Sequence, residues 1–138
     1  GRAAPRRGLT QPVLGICLGM QLLFDSSEED DATLLGLIPA RLARLPDRPD
    51  LRVPHMGWNA IRTTRPDPLT ADLDDKWFYF VHSFAAPTGA WTLATSCHGI
   101  PFSAVVRQGN FSGAQFHPER SATAGARLLR NFLEMPAP

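Results

Sequence analysis

The chain alternates short apolar runs with polar turns punctuated by proline and glycine, and only its last stretch keeps helical spacing. Residues 12–16 (PVLGI) form an apolar run with β-branched members and predict a buried strand. Residues 17–24 follow with good helix formers and predict a helix. Residues 26–31 are acidic and polar and predict a surface loop. Residues 40–45 predict a strand closed by Pro46 and Pro49, and residues 58–64 another, ended by Pro66 and Pro68. Residues 69–75 read as a turn or short helix. Residues 76–84, with Trp77, Phe78, Tyr79, Phe80 and Val81 in succession, carry the strongest strand signal. Residues 91–97, 102–107 and 111–116 predict further short strands separated by glycine-containing turns. In residues 121–134, Leu128, Leu129, Phe132 and Leu133 recur at helical spacing before Pro136, which predicts a closing helix. The order strand, helix, several short strands, helix predicts a mixed α/β domain with an antiparallel portion.

Length and charge narrow the classes. The 138 residues fit one domain, 1–138, and suffice for a real core. A formal net charge of +1 gives no electrostatic case for nucleic acid or an anionic membrane. Arg2, Arg6 and Arg7 cluster near Pro5 and Gly8, so residues 1–10 read as a loop or frayed end. No apolar run approaches the roughly 20 residues needed to span a bilayer. Two cysteines, Cys17 and Cys97, make no disulfide framework, which points to a reducing, cytoplasmic setting. The four histidines and two cysteines lack metal-ligand spacing, and no phosphate-binding glycine loop of the P-loop type is present. Neither a metal nor a cofactor is expected.

Two segments carry chemistry. Gly15-Ile16-Cys17-Leu18-Gly19 has the form G-x-C-x-G between a predicted strand and a predicted helix, the cysteine counterpart of a nucleophile elbow. Such a turn strains its central residue, small flanking residues admit the close approach, and the helix start is expected to lower the thiol pKa. The Leu18 N–H is placed to donate to an oxyanion. A buried core cysteine would satisfy the same five residues. The second segment, Phe116-His117-Pro118-Glu119, follows a predicted strand. His117 can take a thiol proton, and Glu119 can hold the ring in one tautomer. Cys97, inside a predicted strand, is expected in the core, and His82 is expected to be structural.

Residues 15–21 (GICLGMQ) and 113–119 (GAQFHPE) resemble the two signature segments of the class I glutamine amidotransferases, and their Cys17 and His117 lie 100 residues apart. The resemblance implies a flavodoxin-like mixed sheet flanked by helices. It also implies glutamine hydrolysis to glutamate and ammonia through a glutamyl thioester, with Cys17, His117 and Glu119 as triad. Val53-Pro54-His55-Met56-Gly57-Trp58-Asn59 and Tyr79-Phe80-Val81-His82-Ser83 are similar to segments of the glutaminase subunits of imidazole glycerol phosphate synthases, and this likeness runs from Gln11 to Leu133. It implies a (β/α)8-barrel cyclase partner that receives the ammonia and forms imidazole glycerol phosphate and an aminoimidazole carboxamide ribotide in histidine biosynthesis. Carried over by position, Gln21, Ser83 and Phe84 would bind the substrate, and His55, Met56, Gly57, Trp58 and Asn59 would lie at the partner interface near the ammonia exit.

The family has strands, helices and a glycine-rich oxyanion loop before the nucleophile strand, and no such loop precedes Gly15. The reading is therefore of an amino-terminally truncated domain, at a cost of roughly 10²–10³ in rate for one missing oxyanion donor. Three alternatives stay open: a glutaminase serving anthranilate, guanylate or pyridoxal phosphate synthesis, a catalytically weak binding subunit, and a cysteine peptidase on a related fold.

Overall fold

The computed structural model of the chain describes residues 11–136. The expected loop at 1–10 lies outside the described residues. The elements in chain order are β1 (Val13–Ile16), α1 (Leu18–Gln21), β2 (Phe24–Ser27), β3 (Ala32–Thr33), β4 (Ile38–Arg44), β5 (His55–Ala60), β6 (Arg62–Thr63), β7 (Trp77–His82), β8 (Phe84–Ala85), β9 (Thr92–Cys97), β10 (Pro101–Gln108), β11 (Phe111–Ala114) and α2 (Ala122–Glu134). Short 3₁₀ turns at Glu29–Asp31, Pro68–Thr70 and Pro118–Arg120 complete the set.

The strands divide among three sheets rather than one. A five-stranded sheet runs β1-β11-β10-β9-β6, a four-stranded one β3-β2-β4-β8, and β5 pairs with β7 alone. In the largest, β1 is parallel to β11 and the remaining pairs are antiparallel. At the edge of its sheet among the described residues, β1 is only half-buried along its length, where its apolar pattern predicts full burial. The helix predicted over 17–24 stops after one turn at Gln21. Phe24–Ser27 instead pairs with β4, so part of the predicted acidic loop is strand. The register explains it: Phe24 is fully buried opposite Ile38, and a continued helix would remove it from that cluster.

Two cores follow from this layout. One gathers Leu45, Ile61, Phe78, Phe80, Phe102, Phe116 and Leu128 between the main sheet, β7 and α2. The other gathers Met20, Phe24, Ile38, Leu42 and Val106 under the four-stranded sheet. The Phe78 and Phe116 rings stack at 4.0 Å, which locks the end of β11 against β7. On α2, Leu128 is buried, but Leu133, predicted to share its face, is 80% exposed. Cys97 is also exposed, because it ends β9 with its side chain on the open face.

Helix α2 is fixed at both ends of its packing face. The Asn131 amide donates to the Leu69 and Ala71 carbonyls, each at 3.0 Å. Gly125 lies directly against the Pro118 carbonyl, and a Cβ there would overlap it. Gly125→Ala should therefore push α2 off the turn that holds His117 and Glu119. The expected loss is about 1–3 kcal/mol, seen as a lower urea midpoint with an unchanged slope.

Candidate active site

Strand β1 ends at Ile16, and the next residue, Cys17, is held at φ 55° and ψ −108°. Side-chain-bearing residues avoid that region, and holding one there costs on the order of 1–3 kcal/mol. Hydrogen bonds on both sides enforce it. The Cys17 N–H donates to the Ala114 carbonyl at 2.7 Å, and the Cys17 carbonyl accepts from Gln21 N–H at 3.2 Å. The turn is tight enough that a Cβ on Gly15 would lie 2.5 Å from the Gly19 carbonyl oxygen. The position of a Cβ on Gly19 is open space, so crowding demands glycine at position 15 and not at its counterpart.

The Cys17 sulfur meets the Val81 carbonyl and the Gln115 Nε2, each at 3.8 Å. Its pKa is raised, not lowered as expected from the helix start. Burial is the main cause, and the negative charge of Glu119 adds to it. The Leu18 N–H and the Gln115 amide oppose it. A four-residue helix has too few aligned peptide dipoles to reverse that balance.

His117 and Glu119 are positioned by β7. The Tyr79 carbonyl accepts from His117 N–H at 2.9 Å, and the Tyr79 N–H donates to Ser121 Oγ at 2.9 Å. Ser121 Oγ–H in turn donates to the His117 carbonyl at 2.6 Å, and the Arg120 guanidinium covers the Tyr79 ring at 4.1 Å. This clamp sets the His117 Nδ1 2.9 Å from Glu119 Oε2. Desolvation is the largest influence on the Glu119 carboxyl and raises its pKa. Its own backbone N–H, the His117 hydrogen bond and the His117 and Arg120 charges together outweigh that and hold it below its ordinary value. Cys17 and His117 thus hang from Val81 and Tyr79, two residues and about 7 Å apart on one strand. Among the described residues the sulfur makes no hydrogen bond to His117.

Gln21 is buried, and its Nε2 donates both to the Phe84 carbonyl and to Gln115 Oε1, at 3.0 Å each. Its amide hydrogens are thereby committed within the protein. Ser83 and Phe84 lie at the β7–β8 junction. The Ser83 carbonyl accepts from Leu45 N–H at 2.9 Å, and the Phe84 carbonyl also meets His82 Nδ1 at 3.0 Å. Leu18 and Gln21 border a cleft of about 190 Å³ on the side of β2 and β4, and its lining includes none of Cys17, His117, Glu119, Ser83 or Phe84. Three larger clefts, about 690, 720 and 500 Å³, lie around the Pro68–Thr70 turn, α2 and the β10–β11 turn, and likewise include none of Cys17, His117 or Glu119. The chemistry, not the volume, marks the site.

The segment His55–Ala60 is strand β5, so His55 sits in a sheet. Its side chain is buried, Nδ1 3.0 Å from His82 Nε2, with the ring stacked between Phe80 and His98. Met56 and Trp58 face outward at 63% and 50% exposure, and between them Gly57 has φ 131°, a conformation other residues rarely take. Trp58 is thus a surface aromatic. Asn59 points back, donating to the Cys97 carbonyl at 2.8 Å. Gln115, Tyr79, Val81 and Ser121 all shape the site and were not singled out from the sequence. Gln115 lies inside the GAQFHPE segment, and Tyr79 and Val81 inside the aromatic strand segment, but Ser121 had no local signal.

Comparison with known proteins agrees with this geometry. The profile of the family "Glutamine amidotransferase class-I" matches residues 3–135. An "Imidazole glycerol phosphate synthase subunit HisH" of Xylella fastidiosa is 54% identical over 138 residues, covering 99% of this chain and 69% of that protein. The protein of the same description from Pasteurella multocida is 54% identical over 129 residues, covering 93% of this chain and 65% of its own length. Among solved structures, one described as a glutamine amidotransferase superposes with a TM-score of 0.65 at 23% identity, over 96% of this chain and 64% of that one. Another, described as a GMP synthase subunit from Thermoplasma acidophilum, gives 0.64 at 18% identity, over 90% of this chain and 56% of that one. The likeness to both confirms the fold, and the chain belongs to the class I glutamine amidotransferase family.

Proposed function

We propose that the chain is the glutaminase subunit of an imidazole glycerol phosphate synthase, with Cys17, His117 and Glu119 as its catalytic residues. The observation that carries the site is the strained Cys17 elbow and the His117–Glu119 pair, both anchored on β7. Glu119 accepts the His117 Nδ1 proton, which leaves Nε2 as the base. Nε2 takes the Cys17 thiol proton as the sulfur attacks the side-chain amide carbon of glutamine. The tetrahedral oxyanion would receive the Leu18 N–H. As the C–N bond breaks, Nε2–H protonates the departing nitrogen and ammonia leaves a glutamyl thioester. Water, deprotonated by the same nitrogen, then cleaves the thioester to glutamate and restores the thiol. Gln21, Ser83 and Phe84 would wall the pocket for the amino-acid end. With its hydrogens committed, Gln21 would offer Oε1 to the substrate ammonium.

The partner reading rests on the exposed face of β5 and β7. Met56, Trp58 and Trp77 stand outward there, on strands whose β7 member also holds Cys17 and His117. A cyclase of (β/α)8-barrel form is the proposed occupant, receiving ammonia beside His55–Ala60, and a cytoplasmic setting follows from that assembly. No helix among the described residues is long and apolar enough to cross a membrane.

The test is release of labelled ammonia from amide-¹⁵N glutamine by the chain, alone and with the cyclase and its nucleotide substrate. Release that rises with both additions, with glutamyl-Cys17 recovered after acid quench, is expected. Trp58→Ala should weaken cyclase binding about 30-fold, the scale of an aromatic anchor. Equal release in all mixtures, or stimulation by a different synthase only, would refute the assignment.

A further inference from the structure

Gln115 lies in the second signature segment, two residues before His117, and is not one of the three proposed catalytic residues. Yet it is fully buried, and its amide nitrogen faces the Cys17 sulfur at 3.8 Å. Which end of an amide faces a thiol matters. The NH₂ end stabilises a thiolate, whereas the oxygen end repels it.

The neighbours decide the orientation without ambiguity. The Phe84 carbonyl is a pure acceptor, so the Gln21 group 3.0 Å from it must be the amide nitrogen. That same nitrogen faces Gln115 at 3.0 Å, so Gln115 must present its oxygen there. The Gln115 nitrogen is then left pointing at Cys17. The Phe84 carbonyl is itself held by a one-way chain of donors. His82 Nδ1–H donates to it, which leaves His82 Nε2 bare to accept from His55 Nδ1–H at 3.0 Å. His55 Nε2 in turn accepts from Asn59 Nδ2 at 3.3 Å, and Asn59 Nδ2 is oriented by the Cys97 carbonyl. Two backbone carbonyls, of Phe84 and Cys97, thus set every proton between β5 and the sulfur.

We propose that Gln115 is a further catalytic residue, donating to the Cys17 thiolate, and that Gln21 is its positioning residue, fixing the amide so that nitrogen and not oxygen meets the sulfur. The proposal builds on Cys17 as the nucleophile but is tested without glutamine, so its failure and that of the glutaminase reading stay distinct.

The experiment is the rate of Cys17 alkylation by iodoacetamide against pH, followed by mass spectrometry on the intact chain, for Gln115→Leu, the uncharged Gln21→Met and the double variant. Gln115→Leu should move the inflection up by roughly one pH unit, about tenfold slower alkylation at pH 8. Gln21→Met withdraws the donor that holds the Gln115 oxygen, frees its amide to turn over, and should raise the inflection although Gln21 does not touch the sulfur and no charge is added. The double variant should shift no further than either alone. In the unaltered chain, the Gln115 side-chain amide resonances should titrate with the same inflection as alkylation. That reading needs no variant to fold. An unmoved inflection in folded Gln115→Leu, additive shifts in the double variant, or amide resonances blind to the thiol titration would each overturn the proposal.

Discussion

Cys17→Ser is expected to reduce ammonia release from glutamine by about 10⁴-fold or more, the scale seen when the nucleophile of a triad is removed. Serine fits the elbow, because the strained φ of 55° is held by backbone bonds from Ala114 and Gln21 and not by the side chain. The protein should therefore melt as before, which separates chemistry from folding. A hydroxyl has a far higher pKa than a thiol and does not hold the thioester. The raised Cys17 pKa already places the native thiol above its ordinary range, with burial as the first cause. Activity should accordingly climb with pH through neutrality and beyond. His117→Ala should lose about 10²–10⁴-fold as the proposed general base is removed. Steady-state ammonia assays with thermal melts on the same preparations check all of this, and a Cys17→Ser variant with more than a few per cent of native activity would overturn the assignment of the nucleophile.

Acidification from pH 7 to pH 5 should remove about 3–4 kcal/mol of stability through His55 and His82 alone. Burial pushes His82 down to about 4, and burial with its histidine neighbours pushes His55 down to about 3. Both folded values lie below the ordinary 6.5, so the contribution is intact above that pH. It is lost as pH falls from about 6.5 toward 4, because the unfolded chain takes up two protons that the fold refuses. The geometry gives the same sign independently. His82 Nε2 and His55 Nε2 both act as acceptors in the donor chain, and a proton on either would set two donors face to face. With native stabilities of roughly 5–15 kcal/mol, the loss is a large fraction of the total. Urea midpoints at pH 7, 6 and 5 check it. A midpoint that stays level over that range would mean the two rings are hydrated in solution and not held as the structure has them.

Local patterns were legible where one segment carried its own physics. The apolar β1 run, the aromatic β7 run and the closing amphipathic helix were all recognisable, and so was the elbow, because close approach at Gly15 is a property of five consecutive residues. The His117–Glu119 contact was legible for the same reason, since a single proline separates its partners. Segments whose fate depends on distant neighbours were read wrongly. Phe24 looks helical until Ile38 is set beside it, Cys97 looks like core until β9 ends there, and Leu133 fits an apolar stripe that α2 turns to solvent.

The sequence by itself determined the family, and with it the two short motifs that hold the proposed nucleophile, base and orienter, because that chemistry resides in residue types and spacings within a few consecutive positions. Only the tertiary structure decided how the motifs are brought together and tuned. Val81 and Tyr79 set Cys17 and His117 on one strand, burial outweighed the short helix in the thiol's pKa, and two backbone carbonyls oriented the amides and imidazoles between β5 and the sulfur. Those effects depend on which groups lose water and which carbonyl each donor meets, and both are set by contacts between residues that the chain keeps dozens of positions apart.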